Sequence, residues 1–212
     1  MIKLTKLAKP QILEQNAANW TKTLLDKINS GSKPTEAEKS KYRHPEVKAA
    51  LVKETNGKCV YCESKLLHVT YGDVEHIVPK STNAEVTFEW SNLTLACDVC
   101  NTNKSDKFSQ GVGFVDPYLH EPMDHFNFVG GLVLAKTGDN DARLTEETLR
   151  LNRAELVERR NQRIRYLREQ VEVISRAPVH LQDVLRASLQ EELHDDKEYA
   201  AIARACLPCL MA

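Results

Sequence analysis

Residues 58–107 read KCVYCESKLLHVTYGDVEHIVPKSTNAEVTFEWSNLTLACDVCNTNKSDK, and this stretch decides the fold. It opens on Cys59-Val60-Tyr61-Cys62 and closes around Cys97-Asp98-Val99-Cys100, with 34 residues between Cys62 and Cys97. Two thiolates spaced by two residues can hold one tetrahedral ion from a single tight turn, because backbone amides of the turn point at the sulfurs. Two such turns complete a four-thiolate zinc site with no open position, the mark of a structural metal. The competing readings are four unrelated buried cysteines, or a redox pair, which needs a βαβ setting that is absent here. The spacer exceeds that of a simple zinc ribbon, so it encloses a unit with its own fold.

Within the spacer, Val74, Ile77 and Val78 give residues 72–78 strand character, which sends Glu75 and His76 to opposite faces of a regular strand. A neutral imidazole is suited to activating water near pH 7. Carboxylate and amide oxygens are hard ligands suited to Mg²⁺ or Mn²⁺. Asn92 and Asn101 supply amides, and Lys80, Lys104 and Lys107 are candidates to meet phosphate oxygens. Phosphodiester hydrolysis needs little beyond a divalent ion, a base and a group to orient the base. An acidic-His pair alone is weak, since a single histidine is more often structural.

Three features coincide here: Glu75-His76-x-x-Pro79, Asn92-Leu93 about 16 residues on, and Cys100-Asn101 closing the second knuckle. Together they resemble the HNH (ββα-metal) nuclease family over residues 58–107. The resemblance implies His76 as general base, Glu75 and Asn101 as ligands of a catalytic divalent ion, and Asn92 as the residue that holds the loop between two strands and orients the histidine ring. It makes Pro79 and Trp90 structural. Many family members carry Asp where this chain has Glu75, whose longer reach leaves the ion's position less defined.

The flanks read as helices. Residues 10–28 place Ile12, Leu13, Trp20, Leu24, Leu25 and Ile28 at helical spacing, and a second helix covers 45–55, ending at Asn56-Gly57 where Gly57 is free to cap in the left-handed region. His125–Val129 and Leu132–Ala135 flank Gly130-Gly131 as a hairpin. From Thr145, taken as an N-cap, the chain is helical, with Pro178 before a further helical pair that ends near Pro208. The expected class is α+β, mainly helical: an N-terminal helical segment (1–57), a zinc-stabilised HNH core (58–110), a loop with a hairpin (111–144) and a C-terminal helical region (145–212).

Residues 143–168 hold eight arginines against four glutamates. Arg159, Arg160 and Arg163 are the candidates there for phosphate contact. The alternative is a solvated helix face with pairs such as Glu155–Arg159. Cys206 and Cys209 form a third pair near the end of the sequence, either thiols on a helix end or part of a mixed site with His180 and His194.

With 42% apolar and 28% charged residues, the composition is that of a soluble globular protein. No apolar run reaches the ~18 residues that span a bilayer, and the first residues lack a secretory pattern. A cytoplasmic setting without membrane partners follows as the expectation, with thiols kept reduced for metal. A net charge of −1 argues against an autonomous grip on DNA, which draws its affinity from phosphate neutralisation. The string C-x-Y-C-E, E-H-x-x-P-K-S, W-x-N-L-x-L-x-C-x-x-C-N-x-x-K, F-V-D-P, followed by residues 145–160, is similar to the HNH proteins of Septu-type and retron-associated antiphage systems. That narrower resemblance implies a DNA nuclease (RNA being the alternative substrate) working with an SMC/ABC-like ATPase. A stand-alone restriction-type HNH nuclease and a non-catalytic zinc-stabilised binding module remain the other readings.

Overall fold

The computed structural model describes residues 1–68, 70–107 and 113–211. The expected end of the central segment at residue 110 lies outside the described residues. Helix α1 (Gln11–Asn29) starts behind Pro10, whose fixed φ suits a helix entrance, and buries Leu13, Ala17 and Leu24. A short α2 (Glu36–Lys39) follows, opened by a capping box in which Thr35 and Glu38 satisfy each other's backbone amides. Its sequence signature, Thr35-x-x-Glu38, is local, yet four residues are too few for a periodic signal. After a 3₁₀ turn at Lys41–Arg43, α3 (Pro45–Glu54) packs Val47 and Leu51 inward. It ends where Asn56 and Gly57 both take positive φ, at 53° and 68°. Glycine has no Cβ to clash there.

The centre is a ββα unit. Strands β1 (Asp73–His76) and β2 (Leu93–Ala96) pair antiparallel, with Glu75 opposite Thr94 and His76 opposite Leu93. Helix α4 (Asp98–Lys104) follows β2 directly. The predicted strand over 72–78 is thus realised in its middle four residues.

A one-turn α5 (Pro122–His125) leads into the hairpin β3 (Phe126–Val129) and β4 (Leu132–Ala135), where the sequence places it. Gly130 takes a φ of 55°, but Gly131 is required for another reason: a Cβ there would stand 2.7 Å from the Val157 carbonyl. The hairpin lies that close to the helix behind it.

Helix α6 (Asn140–Leu149) begins five residues before the expected start. Asp139 is its cap, accepting from the Ala142 amide at 2.8 Å. Thr145 is not a cap. It lies mid-helix and buried, its hydroxyl donating to the Asp141 carbonyl and accepting from the Val115 amide. Helices α7 (Ala154–Arg176), α8 (Val179–Glu191, behind Pro178) and α9 (Ala200–Met211) complete the chain. Helix α9 runs through Pro208 instead of stopping at it. No described helix is long and apolar enough to cross a membrane.

One core cluster draws on Leu13, Leu51, Leu95, Leu149 and Ile202, so N-terminal, central and C-terminal elements share it. A smaller cluster of Leu167, Ile174, Leu189 and Leu207 joins α7, α8 and α9.

Arg160 is the largest fully buried side chain, 1% exposed, and donates to the carbonyls of Leu151 (2.7 Å) and Gly131 (3.3 Å). The expectation that it faces nucleic acid is corrected: it is an internal clamp between α7 and the hairpin. Replacing it with Met leaves two carbonyls without a donor, and such losses cost about 1–3 kcal/mol each. Arg160→Met should lower the denaturant midpoint with an unchanged m-value, while Arg159→Met, on the exposed face, should not move it.

Candidate active site

The knuckles come first, because they hold the ends of the ββα unit. Cys59 and Cys62 lie on the turn before β1, and Cys97 caps α4 with its sulfur accepting from the Cys100 amide at 3.3 Å. The four Sγ atoms lie within 4.8 Å of one another, all buried. Zn–S bonds of about 2.3 Å imply tetrahedral S···S edges of about 3.8 Å. The Cys62–Cys97 separation is 3.9 Å, so the residues fit a tetrathiolate zinc ion. Arg153 Nη1 stands 3.9 Å from Cys100 Sγ. Burial opposes the charge of that guanidinium, but the thiolates of Cys100, Cys62 and Cys97 more than offset it and raise its pKa. Among the described residues no other three or more Cys, His, Asp or Glu ligand atoms stand this close together. Cys206 and Cys209 lie on α9, half-buried and exposed, outside any such grouping.

Beside the knuckles, a polar cleft of about 650 Å³ is bordered by Asp73, Glu75, His76 and Asn101 together with Tyr42, Arg43, Lys48 and Lys80. His76 Nε2 lies 3.0 Å from the Thr87 carbonyl. A carbonyl only accepts, so Nε2 carries the proton and Nδ1 keeps its lone pair. The described residues give Nδ1 no hydrogen bond. Burial pushes the imidazole pKa down to about 4, against the Thr87 contact and with help from the positive charges of Lys80, Lys104 and Arg43. The ring is neutral at pH 7. Tyr42 meets it edge-on, centroids 4.4 Å apart.

Asn92 stitches the loop between the strands. Its Oδ1 accepts from the Val78 amide at 2.7 Å, and its Nδ2 donates to the carbonyls of Val78 (3.0 Å) and Val86 (3.1 Å). Val86 precedes Thr87, so Asn92 places the carbonyl that holds the histidine. Trp90 is buried and donates to the Leu7 carbonyl at 2.7 Å, and Pro79 is buried beneath the loop.

Glu75 and His76 do take different partners, as alternation along a strand requires, and both still border the cleft. Glu75 turns to Lys104 at 2.7 Å, and burial raises its carboxyl pKa against the pull of that ammonium. Lys104 also donates to the His76 carbonyl at 2.7 Å and is fully buried. The expectation that Lys104 meets phosphate is corrected: it is a strut beneath the site. Asn101 Nδ2 donates to Asp73 Oδ2 at 2.9 Å. Asp73 was missed by sequence reasoning, though its place two residues before Glu75 puts both on one strand face.

Of the remaining expected contacts, Lys80 lines the cleft, whereas Lys107 and Arg159 are exposed and do not line it, and Arg163 is engaged with Glu192 at 2.7 Å. Tyr42, Arg43 and Lys48 come from the N-terminal segment and carry no motif that could have marked them.

Comparison with known proteins agrees with this geometry. Residues 59–107 match the family model described as HNH endonuclease. The chain is 30% identical to the Septu protein PtuB of Bacillus thuringiensis, the alignment covering 72% of this chain and 55% of that protein. It is 26% identical to the Septu protein PtuB of Bacillus mycoides (strain KBAB4), covering 76% of this chain and 66% of that one. The chain thus spans little more than half to two thirds of the length of these curated relatives. The segment that carries both cysteine knuckles and the ββα unit is thus similar to the HNH endonuclease family, in a chain similar to the Septu PtuB proteins.

Proposed function

We propose that this protein is a metal-dependent endonuclease that hydrolyses DNA phosphodiester bonds at the cleft beside β1. The observation that carries the reading is the setting of His76: its Nε2 meets the Thr87 carbonyl, which leaves Nδ1 as the basic nitrogen, and the residue borders the same cleft as Asp73, Glu75 and Asn101. His76 takes the proton of the attacking water. Asn92 keeps the Thr87 carbonyl, and through it the ring, in place. Glu75 and Asn101, joined by Asp73, hold a divalent cation such as Mg²⁺ or Mn²⁺. These are hard oxygen donors that border one cleft, so the chemistry of the set fits such an ion. When bound, that ion supplies Lewis-acid stabilisation of charge on the departing oxygen. Lys104 braces Glu75 and the His76 carbonyl from below.

Similarity to the Septu PtuB proteins supports an antiphage setting with an SMC/ABC-like ATPase as partner, and the net charge of −1 favours a nuclease brought to its substrate by another protein. The non-catalytic zinc module remains the rival, and cleavage decides between them. Plasmid DNA should be nicked with Mg²⁺ or Mn²⁺ by the chain alone or with the ATPase encoded beside it. Asn101→Ala should weaken Mn²⁺ binding at least about 100-fold, given that even supporting residues of metal sites are worth 10–100-fold. Absence of metal-dependent cleavage in both preparations would sink the enzymatic reading.

A further inference from the structure

The cleft is lined by groups of opposite charge, and the segment that matches the HNH family supplies Lys80 but not Tyr42 or Arg43. The acidic groups, Asp73 and Glu75, sit on β1. Two of the basic groups gather on Tyr42, from the 3₁₀ turn before α3, seventeen residues ahead of the first knuckle. Tyr42 is 2% exposed. Its ring faces His76, and its hydroxyl accepts from Lys80 Nζ at 2.8 Å, with that ammonium 4.6 Å from the ring centroid. Arg43 Cζ lies 5.4 Å from the same ring. Both cations are exposed and line the cleft, and neither forms an ion pair among the described residues. Glu36 feels both charges, but its carboxylate is taken by Lys39 at 2.5 Å. Lys48, the third cation lining the cleft, is spent on the Gly72 carbonyl. Two unpaired cations mounted on one buried aromatic ring, which itself touches the candidate base, are placed to receive anions at a fixed distance from that base.

We propose that Arg43 and Lys80, held by Tyr42, form the phosphate-binding wall that seats the nucleic-acid backbone beside His76. The wall draws its central residues from the N-terminal segment, so the HNH-like segment is completed by chain outside it. This rests on the nuclease reading above and replaces the α7 arginines as the substrate contact. Arg160 and Arg163 are occupied internally, and Arg159 borders a separate surface hollow with Glu155 and Glu158.

The test measures binding of a fluorescein-labelled 30-base-pair DNA duplex in EDTA across a salt series, using the full chain. Each phosphate contact contributes about 0.9 to the slope of log affinity against log salt. The Arg43→Gln/Lys80→Gln pair should flatten the slope by about 2 and weaken binding at low salt by tenfold or more. Tyr42→Phe, which keeps the ring and loses only the hydroxyl that anchors Lys80, should fall between. Arg159→Gln/Arg165→Gln should bind like the unaltered chain. An unchanged slope in the Arg43/Lys80 pair, the loss appearing in the α7 pair instead, or no duplex binding by the unaltered chain either alone or together with the ATPase encoded beside it each overturns the proposal. Metal-dependent cleavage, measured on the same preparations, separates this from the nuclease reading. Cleavage with an unchanged slope sinks the wall alone, while the flattened slope without cleavage under any metal sinks the enzyme alone.

Discussion

Cys97→Ser should release the bound zinc and unfold the central segment. A purified sample of the unaltered chain should contain about one zinc per chain by elemental analysis, as a closed four-thiolate site requires. Apparent zinc-binding free energies in small zinc-folded units are about 10–16 kcal/mol. A whole domain has a net stability of only about 5–15 kcal/mol. Loss of the ion therefore removes an energy comparable to everything that holds the fold, and removing one of its four ligands weakens its retention. Cys97 has a second task, since its sulfur also caps α4 at the Cys100 amide. The substitution should abolish zinc retention and collapse the cooperative thermal transition seen by circular dichroism. Cys206→Ser/Cys209→Ser should leave both unchanged, because those thiols belong to no ligand grouping. Full zinc content in Cys97→Ser would sink the assignment.

The size of that effect also explains why so much of the centre was legible in sequence. Cys59-x-x-Cys62, Glu75-His76, Asn92 and Cys97-x-x-Cys100-Asn101 act through local geometry: a turn, a strand alternation, a helix cap. Such geometry is written in spacing. Two misplaced residues were also legible, had helical periodicity been applied to charged positions. Arg160 falls four residues after Leu156 and seven before Leu167, both buried, and so lies on the inward stripe of α7. Lys104 falls four after the buried Cys100 on α4. Thr145 has the look of a cap because it stands beside the apolar run, while Asp139 does that work six residues earlier. Tyr42, Arg43 and Lys48 are a different case. Their place in the cleft depends on how α3 packs against β2, a contact between distant parts of the chain that no local pattern records.

The chemical core of the proposal is tested by His76→Ala, which should lower metal-dependent cleavage by about 10²–10⁴-fold, the usual worth of a positioned general base. Zinc content and the thermal transition should stay near those of the unaltered chain, since the knuckles do not involve this ring. His76→Asn probes the roles separately: its amide can still donate toward the Thr87 carbonyl, yet it carries no basic nitrogen. Equal loss in both variants assigns the deficit to proton abstraction, whereas near-normal cleavage in His76→Asn assigns it to loop placement. The pH profile adds a signed expectation. The folded-state pKa of about 4 lies below the ordinary 6.5, so His76 stays neutral and basic through the intervening range. Protonation of Nδ1 should therefore not limit cleavage at pH 6.5, and becomes limiting only as acid reaches about pH 4. Titration of His76 itself near 6.5 would show an imidazole free in water, incompatible with the burial and the Thr87 contact seen here. Together these measurements separate a base from a structural histidine, and a nuclease from a zinc-stabilised scaffold that merely shares its shape.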